Sequence, residues 1–400
     1  QYRLGTLLNS AGDYAEAQEH LRLALQTDPG NVRVLLALGQ SLLGSGDNRQ
    51  AEDIYRRALD RDASSLEARF FLGRIAQARA EDERALTLYG QILSQTTEKQ
   101  SAQDRAFFGL ASFQTALIEY LHEDYSKAIP NVQDAIEVAS RPSSDLYGLL
   151  IRIHIDTGNL AQAKSASSQA LAVLPGNLEI QAMEGEIFLR EGERTAARER
   201  FREILRASQS SEEGYLLILQ ACSRVEANRE GVIWARQGVE AHPDSESLAF
   251  QQAALLERAG DFKASERAFR ELLQQHPDNA EALNYLGYML ADRDVKLEEA
   301  LTLIQRAVSI QPENPAFQDS LGWVLYRLGR AEQAESYLVR AAQGSRDDAT
   351  VLEHLGDVQA KLGQRTEALK SYRKALDNGP EHPEALKKKI RKLSDLLGGA

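Results

Sequence analysis

Large side chains recur along this chain at a fixed distance behind small ones. Leu21, Tyr55, Tyr89, Phe201, Leu338 and Tyr372 each stand four residues after an alanine (Ala17, Ala51, Ala85, Ala197, Ala334, Ala368), and each alanine stands twelve after a glycine. A separation of four puts both members on one face of a helix, and the alanine marks where a second helix comes close. Gly5, Gly39 and Gly73 are spaced by 34 residues, as are Gly322 and Gly356. Pro243 and Pro277 keep the same period, and Pro175 to Pro243 and Pro312 to Pro380 are each two periods of 34. The pattern predicts a pair of antiparallel helices in every period. Gly-Asp or Gly-Asn turns join the two (Gly12-Asp13, Gly158-Asn159, Gly260-Asp261), and a proline ends the second. One such pair cannot bury its own apolar face, so stacking of neighbours does the burying. Two or three compact domains, the reading that 400 residues would otherwise invite, give way to one array.

A 34-residue period with these small and large positions resembles the tetratricopeptide repeat over nearly the whole chain. The resemblance implies an all-α fold, a solenoid of helix pairs forming a superhelix, with about eleven repeats and a C-terminal capping helix. A truncated repeat ends at Pro29, and others begin near Val32, Leu66, Ala102, Ser144, Leu178, Glu212, Glu246, Ala280, Pro315 and Ala349. The single solenoid over 1–400 then divides into N-terminal repeats (1–101), an irregular elongated repeat (102–143), central and C-terminal repeats (144–380) and a capping helix (381–400). Extra residues between Gly109 and Ala128 lengthen the irregular unit by roughly two helical turns. Pro130 falls inside its second helix, where it removes a hydrogen bond. Residues 115–142 read either as a joint or as an insertion on the outer surface.

Composition narrows the function. Lys and Arg number 47 against 59 Asp and Glu, so a net charge of −12 opposes phosphate backbones, and nucleic acid is not expected as a partner. Apolar runs such as Leu171-Ala172-Val173-Leu174 fall far short of the ~20 residues that span a bilayer. The seven histidines include no pair at helical metal-site spacing, and there is no phosphate loop and no Gly-x-Ser-x-Gly elbow. Cys222, the single cysteine, occupies a helix-facing position and reads as a buried thiol. No catalytic, cofactor or metal site is expected, and the chain is not expected to be an enzyme. Gln1 in place of a starting Met, with no leader-like stretch before the first repeat, reads as a mature or trimmed beginning.

The repeat family lines its concave groove with residues 2, 5, 9 and 12 of each first helix. In the early units these positions include Leu36, Leu43, Phe70, Phe113 and Ile155; in the later ones they include Phe250, Asn284, Tyr288, Asp319, Trp323, Tyr326, Glu353 and Asp357. Aromatics mixed with acids and amides form the candidate partner-binding groove, with packing between helices as the alternative role for each ring. Where the family's carboxylate clamp carries Lys, Asn and Arg, the corresponding positions here carry Phe, Glu, Tyr and Asp, which disfavours a clamp for an acidic C-terminal tail and suits basic or aliphatic partners. The closing segment sets Lys387, Lys388, Lys389, Arg391 and Lys392 beside Leu386, Ile390, Leu393, Leu396 and Leu397, an apolar stripe that caps the last repeat. Docking on a membrane surface or a partner is its alternative use.

The run Leu283-Asn284-Tyr285-Leu286-Gly287-Tyr288, then Asp319-Ser320-Leu321-Gly322-Trp323 and His354-Leu355-Gly356-Asp357, is similar to tetratricopeptide lipoproteins of the bacterial outer membrane. Among these it looks most like the lipoprotein partners of periplasmic carboxyl-terminal processing proteases. That resemblance implies a non-catalytic adaptor on the periplasmic face, held by a lipid anchor upstream of Gln1. Its partners would be the serine protease and the cell-wall hydrolases that the protease cuts. A generic assembly scaffold, and a repeat domain of an enzyme whose catalytic part lies elsewhere, are the alternatives.

Overall fold

The protein is described here by a computed structural model covering residues 1–95, 101–345 and 347–398, the last two by backbone alone. Among these residues lie twenty-three helices and no strand. The chain divides into two compact units, Gln1–Val225 and Glu226–Ala400.

Unit 1 holds six helix pairs: α1 (Tyr2–Ala11) with α2 (Tyr14–Thr27), α3 (Val32–Gly44) with α4 (Asn48–Arg61), α5 (Leu66–Ala78) with α6 (Asp82–Leu93), α7 (Ala102–Leu121) with α8 (Tyr125–Val138), α9 (Ser144–Asp156) with α10 (Leu160–Val173), and α11 (Leu178–Arg190) with α12 (Arg194–Ala207). It ends on α13 (Glu212–Arg224). Unit 2 opens on α14 (Asn228–Ala241) and continues with α15 (Glu246–Arg258), α16 (Phe262–Gln275), α17 (Ala280–Asp292), α18 (Leu297–Ile310), α19 (Pro315–Arg327), α20 (Ala331–Gly344), α21 (Ala349–Lys361) and α22 (Arg365–Asp377). The closing helix is α23 (Pro383–Gly398). Unit 1 thus holds six pairs and α13, unit 2 holds α14, four pairs (α15 to α22) and the cap, and from α3 onward each first helix starts at the residue the period marks.

In the periods that carry the glycine–alanine–large-residue spacing, the three meet in space. A Cβ placed on Gly39 would stand 2.5 Å from the ring of Tyr55, and one on Gly356 would stand 2.5 Å from Tyr372. Only hydrogen fits there, while Ala17, Ala51, Ala85 and Ala368 are fully buried at the same crossing. Turns between paired helices need a left-handed residue. Gly12, Gly46 and Gly260 supply it at φ 86, 85 and 86°, and Ala80, Glu123 and Asp294 adopt it elsewhere at φ 58, 60 and 59°. Most new pairs are then started by a cap: the side chains of Asn31, Ser65, Asn177, Ser245 and Asn279 accept from the backbone N–H three residues on.

Helix α7 has 20 residues where the other first helices from α3 onward have 13, and α8 keeps 14. The extra two turns therefore fall entirely on the first helix of the irregular unit. Pro130 lies inside α8 on its exposed side, leaving the Ser126 carbonyl without a helical donor. Helices pack on neighbours one or two places away in the chain. At the far end, Leu386 and Leu393 of α23 join Leu352, Tyr372 and Ala375 in a small cluster that closes the stack. Leu396 is left 47% exposed, and the side chain of Leu397 lies outside the described residues.

Candidate functional site

All eight candidate residues lie on the first helices of unit 2: Phe250 on α15, Asn284 and Tyr288 on α17, Asp319, Trp323 and Tyr326 on α19, Glu353 and Asp357 on α21. Helical spacing puts Asp319, Trp323 and Tyr326 on one face of α19, and that face meets α21.

The centre is a stack. The Trp323 ring lies against His354 of α21 at 4.0 Å between centroids and 17° between planes, and against Tyr326 at 5.4 Å and 29°. His354 is buried and donates from Nδ1 to both carboxylate oxygens of Asp319, at 2.9 and 3.1 Å. Asp319 is itself buried, so it anchors the imidazole and does not present a charge to a partner. Tyr288 reaches the same histidine at 6.4 Å. Burial first, then the carboxylates of Asp292 and Asp319, pushes the Tyr288 hydroxyl well above the usual phenol range and keeps it protonated. Two polar atoms here are shielded and unsatisfied: the Trp323 indole Nε1 and the Asn284 amide oxygen have no hydrogen-bond partner among the described residues.

The remaining positions do other work. Phe250 is half-buried between Phe269 and Tyr285, edge-on to both with ring centroids 5.6 Å away. Glu353 and Asp357 hold the ammonium of Lys389 from α23, at 2.8 Å for Glu353 and 2.7 Å for each Asp357 oxygen. Asp357 also accepts from the Tyr372 hydroxyl at 2.7 Å. Burial opposes the charge on Lys389, yet its hydrogen bonds to Asp357 and Glu353 outweigh that and hold its pKa above the usual lysine value. The acidic end of the expected groove is thus neutralised by the chain's own cap. In unit 1, Phe70 and Ile155 are 3% and 2% exposed, core residues and not groove lining.

Two residues of this arrangement were invisible as site residues in the sequence. His354 stands 35 residues after Asp319, one period plus one, a spacing that brings an acid and an imidazole face to face across neighbouring first helices. Lys389 belongs to the cap and meets α21 only through tertiary packing.

Sequence profiles of the tetratricopeptide repeat match residues 8–63 and, in a second form, residues 36–96, 148–212, 250–315 and 320–386. This chain belongs to the tetratricopeptide repeat (TPR) family. A 212-residue stretch is 32% identical to the TPR repeat-containing protein PA4667 of Pseudomonas aeruginosa, covering 51% of this chain and 36% of that protein. Another, of 178 residues, is 24% identical to tetratricopeptide repeat protein 8 of Caenorhabditis elegans, covering 44% of this chain and 35% of that protein. The matches thus span about a third of each relative's own length. Among solved structures, yeast Tom70 aligns over 99% of this chain and 95% of its own with a TM-score of 0.51 at 14% identity, a likeness of fold alone.

As a TPR protein the chain presents first-helix side chains for contact with other proteins. Among the described residues, no three His, Cys, Asp or Glu side chains are grouped to hold a metal ion, and no helix is long and apolar enough to cross a membrane. What unit 2 offers is a half-buried aromatic platform, anchored by Asp319 through His354. Such a platform can stack on a partner's side chains.

Proposed function

We propose that this TPR chain is a non-catalytic adaptor, on the periplasmic face of the bacterial outer membrane, for a carboxyl-terminal processing serine protease. It binds the protease, activates it or brings substrates to it, and through it controls cell-wall hydrolases. The observation that carries the reading is the Trp323–His354–Asp319 assembly: a half-buried indole ring held in one orientation by stacking on a histidine that Asp319 anchors through hydrogen bonds. Preorganised aromatic anchors of this kind dominate interface energetics. The motif run from Leu283 to Asp357, which resembles the envelope lipoproteins, contains this assembly.

The test is a reconstitution with three purified components: this chain, the protease, and a cell-wall hydrolase as substrate. Adding the chain is expected to raise the rate of hydrolase cleavage, and Trp323→Ala to remove most of that gain, with an affinity loss of about 2 kcal/mol or more. A cleavage rate indifferent to the chain overturns the adaptor reading. An interaction with some other complex, lost in Trp323→Ala, would assign the platform to a general assembly scaffold instead.

A further inference from the structure

Unit 1 carries a cavity of opposite chemistry. It occupies about 420 Å³ on the first helices α7, α9, α11 and α13. Its apolar floor is formed by Phe113, Leu117, Leu149, Met183 and Leu217, deepened by the small residues Gly148 and Ala182. One edge carries the guanidinium groups of Arg152 and Arg224, and Arg190, outside the lining, joins them on Glu186. Arg152 grips Glu186 with two parallel bonds at 2.9 and 3.0 Å, Arg190 adds two at 3.1 and 3.2 Å, and Arg224 stands 3.7 Å off. Glu186 is only 1% exposed, so a single buried carboxylate is shared by three cations.

That sharing is unequal. Arg152 and Arg190 use their donors on Glu186, whereas the Arg224 side chain makes no hydrogen bond among the described residues and is 43% exposed. A guanidinium has five N–H donors in a fork that matches a carboxylate. The edge therefore has one unspent cation, and its two lining arginines exceed Glu186 by one positive charge. The facing acids, Asp145 and Glu179, line the other edge of the cavity. Each lies seven residues ahead of Arg152 or Glu186 on its helix, roughly 10 Å away at 1.5 Å per residue. That is about one Debye length at 0.1 M salt, so they weakly affect an anion seated against Arg224.

We propose that this cavity is a second binding site, taking an extended segment of a partner protein that sets an Asp or Glu side chain against Arg224 and neighbouring aliphatic side chains on the floor. An internal acidic residue fits better than a chain end. The lining comes from four successive first helices, so at 8–10 Å between helices the trough runs on the order of 25–30 Å, enough for about eight extended residues continuing past the arginines on both sides. The site shares no residue with the aromatic platform, and stands whether or not the protease is the platform's partner.

A display library of random nonapeptides, fused through their C-terminal ends, is selected on the full chain carrying Trp323→Ala, so that the platform supplies no binders. Enriched peptides are then synthesised with amidated ends and measured by fluorescence anisotropy. The expected consensus places Asp or Glu beside Leu, Ile, Val or Met. Arg224→Glu is expected to weaken binding at least about tenfold. Gly148→Leu gives an independent check by filling the floor: a Cβ there meets nothing within 4 Å, so the fold tolerates it while the segment does not. Failure to enrich an acidic consensus, affinity unmoved by both variants, or binding that requires a free C-terminal carboxylate would each overturn the proposal.

Discussion

His154 shows how a single buried side chain contributes to the pH response of unit 1. It is 8% exposed, its Nδ1 has no hydrogen-bond partner among the described residues, and burial lowers its pKa below the ordinary 6.5. The folded chain thus resists the proton that the unfolded chain accepts, so stability is full above pH 6.5 and declines as pH falls from there toward the folded pKa. The urea midpoint is expected to drop between pH 7.5 and 5.5, and the drop to shrink in His154→Leu; equal pH slopes for the two proteins would refute this. Residues of this kind divide by legibility. The Gly39–Ala51–Tyr55 triplet could be read from spacing because each member answers to a repeated steric need. Neither the burial of His154 nor the bond from His354 to Asp319 repeats from unit to unit, so no period announces them.

Among the elements, the irregular repeat separates two effects that its sequence presented together. Lengthening belongs to α7 and the proline to α8, and the two helices still pack along each other. Pro130 sits on the exposed side of α8, where losing one backbone hydrogen bond costs more than its rigidity returns. Pro130→Ala is expected to stabilise unit 1 by about 1–3 kcal/mol, read from urea unfolding; an unchanged or lower stability would mean that α8 needs the break. The cap α23 is an element whose apolar half was legible and whose charged half was not. Leu386 and Leu393 close the stack as their spacing suggests. The destination of Lys389, between Glu353 and Asp357, depends on how α23 docks against α21 and α22.

For the whole molecule, the consequence of a solenoid is locality. Helices pack on partners one or two places along the chain, so a defect has no direct route to distant repeats. Tyr55→Ala removes a fully buried ring from the second pair and is expected to cost about 3–5 kcal/mol there. Hydrogen exchange should speed in α3–α6 and stay unchanged in α17–α22; faster exchange in both regions would contradict nearest-neighbour stability. Locality also lets one acidic chain carry two surfaces of different chemistry. The aromatic platform lies in unit 2 and the arginine-edged cavity in unit 1, a contrast that the net charge of −12 averages away.

What the sequence determined by itself was everything that repeats: the helix pairs, their starts, the turn glycines and the buried triplets, because each copy of a steric constraint leaves the same mark at the same interval. Tertiary structure alone decided which groove positions are available. Asp319, Glu353 and Asp357 have the composition of a binding surface, yet one anchors a histidine and two hold a lysine from the cap. Arg152, Arg190 and Arg224 are scattered over 72 positions of the chain and gather on one carboxylate only when α9, α11 and α13 stack. Charge pairing is settled by distances of about 3 Å between different helices, and a period in sequence carries no information at that scale.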